Sequence, residues 1–261
     1  MTSIKKGNLT PFSLVTTYNN QEGENWYHPV VLSPSTLGEM ATSPETLKKV
    51  MKVLNQLVPD EYTKYLNNYY KKGLDSFQSH WRYADIVTAL YSAATLIKPK
   101  TYLEVGVRRG RSMAMVAATN PQCQIYGFDM WIENYAGINN PGTGFVKSEM
   151  DSLKFEGELK LISGNSHETI PEFFKRNPEL FFDIITIDGD HTPDGALKDF
   201  DDLLPRLKIG GAVIFDDIQH PSHPYLADIW KNKIEESSNY SSWKYTELGY
   251  GVGIAIKKEH N

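Results

Sequence analysis

Residues 101–118 read TYLEVGVRRGRSMAMVAA. A short apolar run, Tyr102 to Val105, leads into a loop that contains Gly106 and Gly110, and a helical pattern begins at Ser112. Glycine in such a loop lets a ligand approach the backbone closely, and the start of a helix offers free N–H groups. The stretch therefore predicts a strand, a binding loop and a helix in succession.

The same alternation of short apolar runs and helical patterns continues toward the C-terminus. It is typical of parallel strands that are joined by crossover helices. The last two runs, Trp243 to Leu248 and Val252 to Ile256, are joined through Gly249-Tyr250-Gly251 and predict an antiparallel hairpin at the sheet edge. We therefore expect a doubly wound, Rossmann-like α/β fold with a mostly parallel, seven-stranded sheet. The other predicted strands are Gln124 to Phe128, Leu159 to Ile162, Phe182 to Ile187 and Ala212 to Phe215.

The first eighty residues have a different character. Residues 1–40 are rich in Asn, Thr, Ser, Gly and Pro, which predicts an arm or a mobile lead-in. Ser43-Pro44 begins a helical pattern, since serine caps a helix and proline suits its first turn. Further helices are predicted from about Asp60 to Tyr70 and from Trp81 to Leu96. We expect an arm and helical extension over residues 1–80, which covers the site or forms a homo-oligomer, and a domain over residues 81–261.

Composition limits the classes of protein to which the chain can belong. The 261 residues are 40% hydrophobic, enough for a sizeable core, and the net charge of -5 argues against nonspecific nucleic-acid binding. The single cysteine, Cys123, excludes an internal disulfide and fits a reducing compartment. No apolar stretch approaches the length that spans a bilayer. We expect a cytoplasmic protein with neither nucleic-acid nor membrane partners.

Three carboxylates follow predicted strands. Asp188 comes after one apolar run, and Asp216 and Asp217 come after another. Ligands bind beyond the carboxyl ends of strands in an open parallel sheet, and ligation by oxygen alone favours magnesium, calcium or manganese. The alternative is that Asp216-Asp217 caps a helix or polarises a turn. The first interpretation predicts a site for a hard divalent cation.

Other polar residues at predicted strand ends indicate a nucleoside-containing ligand. Asp129 ends the second strand, where an acidic residue binds ribose hydroxyls in doubly wound folds. Asn165 and Ser166 follow the third strand and either read an adenine edge or cap the next helix. The dinucleotide fingerprint is incomplete, because Arg108 and Arg111 stand where its second and third glycines belong. This weakens the case for NAD.

In combination, these motifs resemble the class I S-adenosylmethionine-dependent methyltransferases. The order is most similar to the metal-dependent O-methyltransferases that act on sugar hydroxyls of macrolides and related glycosides, of the macrocin and mycinamicin type. The resemblance covers about Trp81 to Lys257. It is carried by Glu104-x-Gly106-x-x-x-Gly110-x-Ser112, Asp129, Ile187-Asp188-Gly189-Asp190-His191 and Gly210-Gly211-x-x-x-x-Asp216-Asp217.

The resemblance implies a cofactor, a metal and the residues that bind them. The methionine part of S-adenosylmethionine would be held by Glu104 and the loop from Gly106 through Gly110 to Ser112. The remaining implied contacts are Asp129 to the ribose, Asn165 and Ser166 to the adenine, and Asp188, Asp216 and Asp217 to magnesium. Many relatives have Asp at the position of Asn165. Catechol-type relatives have Asn at the position of Asp217, whereas sugar-type relatives have Asp, which favours a sugar acceptor, either a small molecule or a glycan.

The expected reaction needs a base. A sugar hydroxyl is a poor nucleophile near neutral pH, and a divalent cation lowers the proton affinity of a coordinated oxygen. His191, three residues after Asp188, has a pKa range that suits a general base. Asp190 is the alternative, since some relatives use a carboxylate there. His191 could also only orient its loop.

Several features stay open at this point. His220 and His223 could touch substrate or only belong to a polar, proline-rich loop, and Trp131 to Phe145 could form a lid. The arginines of the first loop could contact an acidic group, although such short charge runs more often face water. Tyr62, Tyr65, Tyr69 and Tyr70 follow helical spacing and either pack the N-terminal helices or wall the acceptor pocket.

Two other functions remain as alternatives to methyl transfer. Cephalosporin hydroxylase-like oxygenases share the fold and similar motifs, but a two-histidine, one-carboxylate triad for iron is not evident at these strand ends. A non-catalytic protein that binds the cofactor is the other alternative.

Overall fold

The structure, a computed structural model, describes residues 10–18, 29–137 and 139–258. Within these residues, seven strands form one sheet in the order β3-β2-β1-β4-β5-β7-β6. The first five strands pair in parallel, and β7 pairs antiparallel with both β5 and β6. The predicted doubly wound fold with a closing hairpin is confirmed. The strands are β1 (Thr101–Val105), β2 (Gln124–Asp129), β3 (Leu159–Ser163), β4 (Phe182–Ile187), β5 (Leu207–Asp216), β6 (Tyr240–Tyr245) and β7 (Val252–Lys257).

Helices cover both faces of the sheet. None of those in the described residues is long and apolar enough to cross a membrane. A π-helical turn, Lys231–Glu235, follows the last helix. The helices are α1 (Pro34–Ala41), α2 (Pro44–Leu54), α3 (Glu61–Phe77), α4 (Ile86–Ile97), α5 (Arg111–Thr119), α6 (Thr143–Ser152), α7 (Ser166–Arg176), α8 (Pro193–Leu203) and α9 (Tyr225–Trp230).

Register places the polar strand-end residues on one face of the sheet. Glu104 of β1 lies beside Thr186 of β4, which lies beside Ile214 of β5. Ile214 belongs to the core cluster that includes the side chains of α2 and α4. Because side chains alternate between faces along a strand, Asp188 and Asp216, each two residues further on, continue this face at the carboxyl ends.

The N-terminal helices share this core. Leu37 of α1 and Leu47 of α2 are fully buried in one hydrophobic cluster with Leu90 of α4 and Ile254 of β7. The hydroxyl of Thr16 donates to the carbonyl of Gly210 at 2.6 Å. The core is therefore continuous across residue 80.

Part of the predicted arm forms a helix. Ser33 caps α1 and Pro34 begins it, the same signature that begins α2 at Ser43-Pro44. The eight-residue α1 carries too few apolar residues to show a periodic pattern, and it folds because Leu37 and Ala41 are buried. Other parts of the arm, residues 1–9 and 19–28, lie outside the described residues.

Candidate active site

A cleft of about 250 Å³ lies beyond the carboxyl ends of β1 to β4. Its position is the one at which open α/β sheets bind ligands. Several predicted site residues meet there. The polar residues that line it are Arg108, Asp129, Asn140, Asn165, Ser166, Asp188 and Asp190, together with the backbone of Gly106, Gly164 and Gly189.

Gly106 fixes the loop that follows β1. Its φ is +89°, and a Cβ built on it would lie 1.8 Å from the carbonyl oxygen of Asp188. Its backbone N–H donates to the carbonyl of Phe128 at 2.9 Å. A side chain at position 106 would therefore push the β1 loop away from the end of β4, where the predicted metal ligand Asp188 lies.

Glu104 lies behind this loop, outside the group of residues that line the cleft. It is fully buried, and it accepts hydrogen bonds from the hydroxyls of Ser112 and Tyr102, the latter at 2.9 Å. Burial raises the pKa of the carboxyl group to about 8, although both hydrogen bonds oppose the shift. In this structure Glu104 links β1 to the first turn of α5 through Ser112, and it thereby fixes the two ends of the loop between them.

Asp129 binds two backbone amides at the cleft wall. It accepts from the N–H of Arg108 at 2.7 Å and of Trp131 at 2.5 Å, and the side-chain amide of Asn140 donates to it at 3.3 Å. Two buried atoms here, Asn140 Oδ1 and Arg108 Nε, have no hydrogen-bond partner among the described residues. Because a buried polar atom without a partner is costly, these atoms indicate where a polar ligand binds.

Asn165 and Ser166 both line the cleft, and both also have structural partners. Asn165 caps α7 by accepting from the N–H of His167 at 3.0 Å. The Ser166 hydroxyl donates to Asp199 at 3.0 Å, a fully buried carboxylate of α8. The capping alternative is therefore realised for Asn165, and its position in the lining also allows a cofactor contact.

A second polar group lies next to the cleft. One ligand atom each from Asp188, His191 and Asp217 lies within 4.8 Å of the others. His191 Nε2 is 3.3 Å from Asp188 Oδ1, and His191 Nδ1 is 3.9 Å from Asp217 Oδ2. We call these three residues the acid–histidine group. Asp188 belongs both to this group and to the cleft lining.

Asp216 and Asp217 diverge because of a backbone turn. Asp217 has a φ of +58°, a left-handed conformation that aspartate tolerates better than most residues. Asp216 stands outside the 4.8 Å group, yet its pKa is raised well above the ordinary value by burial and by the charges of Asp217 and Asp188. Burial and the charge of Asp188 raise the pKa of Asp217 to about 7. A divalent cation would relieve the repulsion among these three carboxylates.

The structure separates the two candidate bases. His191 lies between Asp188 and Asp217. Burial alone would lower its pKa, but the hydrogen bond to Asp188 and the neighbouring carboxylates raise it overall. Asp190 instead turns toward α8, where it accepts from the N–H of Thr192 at 2.8 Å. Only His191 of the pair belongs to the acid–histidine group.

The proline-rich loop supports His191. The rings of His223 and His191 are 5.4 Å apart, and the hydroxyl of Tyr225 donates to the carbonyl of His191 at 2.5 Å. Since that hydroxyl has one hydrogen, His223 Nδ1, 2.9 Å away, must donate to Tyr225. The sequence showed His220 and His223 as possible contacts, but it gave no signal for Tyr225, whose role depends on its tertiary position.

The arginines of the β1 loop do not face water, contrary to what a short charge run usually does. Arg109 is 7% exposed, and the side chain of Arg111 is 12% exposed. Both pair with Asp60, the N-cap of α3, at 3.2 Å and 2.9 Å. Arg108 donates to the carbonyl of Tyr135 at 3.3 Å. The loop thus holds the N-terminal helices and the segment after β2.

Comparison with known proteins adds a domain match. Residues 103–218 match the family described as a methyltransferase domain, a stretch that runs from β1 to the turn after β5. It contains the cleft residue Asp129 and the whole acid–histidine group. No curated protein sequence matches the chain.

Solved methyltransferase structures share the fold at low sequence identity. TomG of Streptomyces achromogenes, involved in tomaymycin synthesis and solved with SAM, is 16% identical, with 82% of this chain and 90% of TomG covered and a TM-score of 0.51. SAH-bound PaMTH1 of Podospora anserina is 15% identical, with 84% and 90% covered and a TM-score of 0.51. CalS11, a TDP-rhamnose 3'-O-methyltransferase of calicheamicin biosynthesis, is 20% identical, with 82% and 93% covered and a TM-score of 0.50. Residues 103–218 thus match a methyltransferase domain, and the chain shares the fold of methyltransferases that were solved with SAM or SAH bound.

Proposed function

We propose that the protein transfers a methyl group from S-adenosylmethionine to a hydroxyl of a sugar or sugar-bearing metabolite, with magnesium or another hard divalent cation as cofactor. The observation that carries this proposal is the position of Asp188, which lines the cleft and also belongs to the acid–histidine group. A methyl donor in the cleft and a hydroxyl at the acid–histidine group would therefore be neighbours.

The cleft fits the cofactor by the chemistry of its unpartnered atoms. Asn140 Oδ1 can accept and Arg108 Nε can donate a hydrogen bond, and neither has a partner among the described residues. Asp129, Asn165 and Ser166 present further polar groups, as expected for ribose and adenine. When bound, S-adenosylmethionine supplies a methyl group on a cationic sulfur, and the negative charge of Asp188 and Asp190 at the cleft favours a cation.

The acid–histidine group fits a divalent cation by its spacing. Ligands of an octahedral magnesium ion lie about 3 Å apart when adjacent and about 4.2 Å apart when opposite, given metal–oxygen distances of about 2.1 Å. Atoms within 4.8 Å of one another reach that geometry through small side-chain rotations. Of the predicted ligands, Asp188 and Asp217 meet this spacing, and Asp216, which lies outside the group, is assigned as the third ligand on the resemblance alone. Such an ion, when bound, lowers the proton affinity of an acceptor hydroxyl and fixes its position.

His191 then acts as the base that removes the hydroxyl proton. Its ring lies beside Asp188 and Asp217, whereas Asp190 is held in the loop before α8. The hydroxyl of Tyr225 donates to the backbone carbonyl of His191 and so holds the imidazole beside Asp188 and Asp217. In this proposal His191 is the base, and the carboxylates are the metal ligands.

Two arguments support a sugar rather than a catechol. The first is that Asp217 resembles the sugar-type relatives, which have Asp at this position, whereas catechol-type relatives have Asn there. CalS11, which shares the fold, is described as acting on TDP-rhamnose. Neither argument fixes which sugar or which hydroxyl is methylated.

Methyl transfer from S-adenosylmethionine to TDP-rhamnose, methyl rhamnoside and catechol tests the proposal. We expect transfer to a sugar with magnesium, and its loss on adding EDTA or in Asp216→Ala. Transfer that survives both changes would disprove metal dependence, and transfer to catechol alone would identify the other acceptor class. The cofactor-binding alternative predicts S-adenosylhomocysteine binding with no turnover on any acceptor.

A matched pair of substitutions distinguishes the roles of His191 and Asp190. We expect His191→Asn to lower kcat by about 100-fold or more, as loss of a general base does, and Asp190→Asn to have a smaller effect. Calorimetric titration with magnesium should give the same affinity for His191→Asn and wild type if His191 is not a ligand. Weakened metal binding would instead make His191 a ligand.

A further inference from the structure

A buried carboxylate of α8 lies behind the cleft. Asp199 is fully buried, and three neighbouring groups surround its two oxygens. Oδ1 accepts from the hydroxyl of Ser166 at 3.0 Å and lies 3.5 Å from Nε2 of His167. Oδ2 accepts from the backbone N–H of Asp190 at 3.3 Å. Asp199 therefore connects the loop after β3 with the loop after β4, and both loops line the cleft.

The hydrogen bond between Ser166 and Asp199 has only one possible direction. Burial raises the pKa of Asp199 to about 6, so near pH 8 the side chain is a carboxylate, which accepts hydrogen bonds and cannot donate them. A serine hydroxyl carries one hydrogen and two lone pairs. Because the hydrogen of Ser166 is used on Asp199, the serine offers only lone pairs to a ligand in the cleft that it lines.

The order of the strands places Ser166 at the purine end of the cofactor. Under the proposed function, the methyl group lies beside the acid–histidine group, which follows β4 and β5. Ser166 follows β3, the edge strand of the order β3-β2-β1-β4, and Asp129 at the end of β2 lies between them. Because the ribose separates the sulfur from the purine, the purine extends toward β3. Met130 and Ile132 also line the cleft and offer apolar contact to its faces.

We propose that Asp199 is a positioning residue that determines which purine the cleft accepts. It fixes the hydroxyl of Ser166 as an acceptor, and Ser166 then receives a hydrogen bond from the 6-amino group of adenine. A 6-oxo purine such as hypoxanthine would place a second acceptor against the serine lone pairs, with no hydrogen between them. This inference rests on the proposed function for the presence of S-adenosylmethionine in the cleft. It goes further because it names the pair of residues that selects the base.

Two nucleosides that differ only in the purine test the role of Ser166. S-adenosylhomocysteine carries the 6-amino group and S-inosylhomocysteine carries a 6-oxo group, and the dissociation constant of each is measured by calorimetry at pH 8. We expect wild type to bind S-adenosylhomocysteine about ten-fold more tightly, because two acceptors that face each other leave one hydrogen bond unmade. Ser166→Ala should lose most of this preference, since it removes the acceptor.

Asp199→Asn tests the direction of the hydrogen bond. The backbone N–H of Asp190 can only donate, so it keeps the asparagine oxygen, and the new amide N–H group faces Ser166. The amide then donates to the serine oxygen, and the serine hydrogen is free to turn toward the cleft and pair with a 6-oxo group. We expect the preference for S-adenosylhomocysteine to fall about ten-fold, although position 199 keeps both hydrogen bonds. A purely structural tie between the two loops would leave the preference unchanged.

Asp202→Asn is the matched control. Asp202 belongs to the same helix and pairs with Lys198 at 2.9 Å, so the same substitution there should keep the wild-type preference. Equal binding of the two nucleosides by wild type would overturn the inference, and so would a full preference in Ser166→Ala or an equal loss in Asp202→Asn. Circular dichroism checks that each variant is folded. Should Asp199→Asn not fold, the result for Ser166→Ala decides alone.

These measurements keep the two proposals apart. If wild type prefers S-adenosylhomocysteine through Ser166 yet transfers no methyl group to any sugar, the inference holds and the proposed function fails. If sugars are methylated and wild type binds both nucleosides equally, the function holds and the inference fails. Binding of neither nucleoside would overturn both.

Discussion

The amide oxygen of Asn140 is buried beside Asp129 without a hydrogen-bond partner in the described structure. Its side chain is 7% exposed and lines the cleft, so a bound cofactor would supply the missing donor. We expect Asn140→Ala to weaken S-adenosylhomocysteine binding about two- to ten-fold, the effect of one lost hydrogen bond. Isothermal titration calorimetry measures it, with Asn139→Ala, an exposed neighbour, as control. Equal affinity in all three proteins would remove Asn140 from the cofactor site.

Glu104 should make the stability of the ligand-free protein depend on pH. Burial raises its pKa from near 4.5 to about 8, so between these values the folded protein holds a proton that the unfolded chain has lost. The free energy of unfolding should therefore fall as pH rises through this window, by at most about 1.4 kcal/mol per pH unit. Urea unfolding between pH 5 and 8 checks this, with Glu104→Gln as a reference that cannot ionise. Parallel pH profiles for the two proteins would show that Glu104 is not protonated in the fold.

At the scale of elements, a glycine within α3 shows packing prevailing over helix propensity. Alanine normally stabilises a helix interior by up to about 1 kcal/mol relative to glycine. A Cβ at Gly73, however, would lie 2.2 Å from Cε2 of the Trp81 ring, and relieving such a clash costs about 1–3 kcal/mol. We expect Gly73→Ala to lower the free energy of unfolding. Gly144→Ala in α6 is the control, since nothing lies within 4 Å of its Cβ position, and it should be neutral or stabilising. Chemical denaturation measures the free energy of unfolding of both variants. A Gly73→Ala variant that is more stable than wild type would contradict the packing argument.

Most strands and helices after residue 100 could be predicted because their apolar residues follow clear strand or helix patterns. The apolar run Phe182 to Ile187 is β4 without change, and the run from Ala212 is the second half of β5. The first half of β5 was missed since it contains Lys208, Gly210 and Gly211, which strands disfavour, and it pairs with β4 across an irregularity. The helix predicted from Trp81 begins only at Ile86, because Asp85 forms a capping box with Thr88.

The candidate site could be predicted only in part. Asp188, Asp217 and His191 follow strand ends, so topology alone brings them close. The different position of Asp216 depends on the left-handed backbone at Asp217, which no pattern in the sequence shows. The burial of Arg109 depends on Asp60, about fifty residues earlier, and a contact of that range has no local signal.

On the scale of the whole molecule, the N-terminal helices are part of the main core. Leu37, Leu47 and Val50 are fully buried in one cluster with Leu90. We expect a fragment of residues 81–261 to lose cooperative unfolding, because removing α1 to α3 exposes the apolar face of α4. Circular dichroism during thermal unfolding tests this. A fragment of residues 10–258, which keeps every described residue, is the control, and a cooperative transition in the shorter fragment would show that the extension is dispensable.

The arginines of the β1 loop have a consequence for how such an enzyme can diversify. Arg108, Arg109 and Arg111 hold two covering parts of the chain, the segment after β2 and the start of α3, against the loop beside the cleft, and Asp60 accepts two of those contacts. Tyr65 stands outside this junction, on the exposed flank of the same helix. Substitutions at position 65 can therefore accumulate while the loop beside the cleft keeps its shape. The fold in this way separates a position that is free to evolve from the junction that holds the enzyme together.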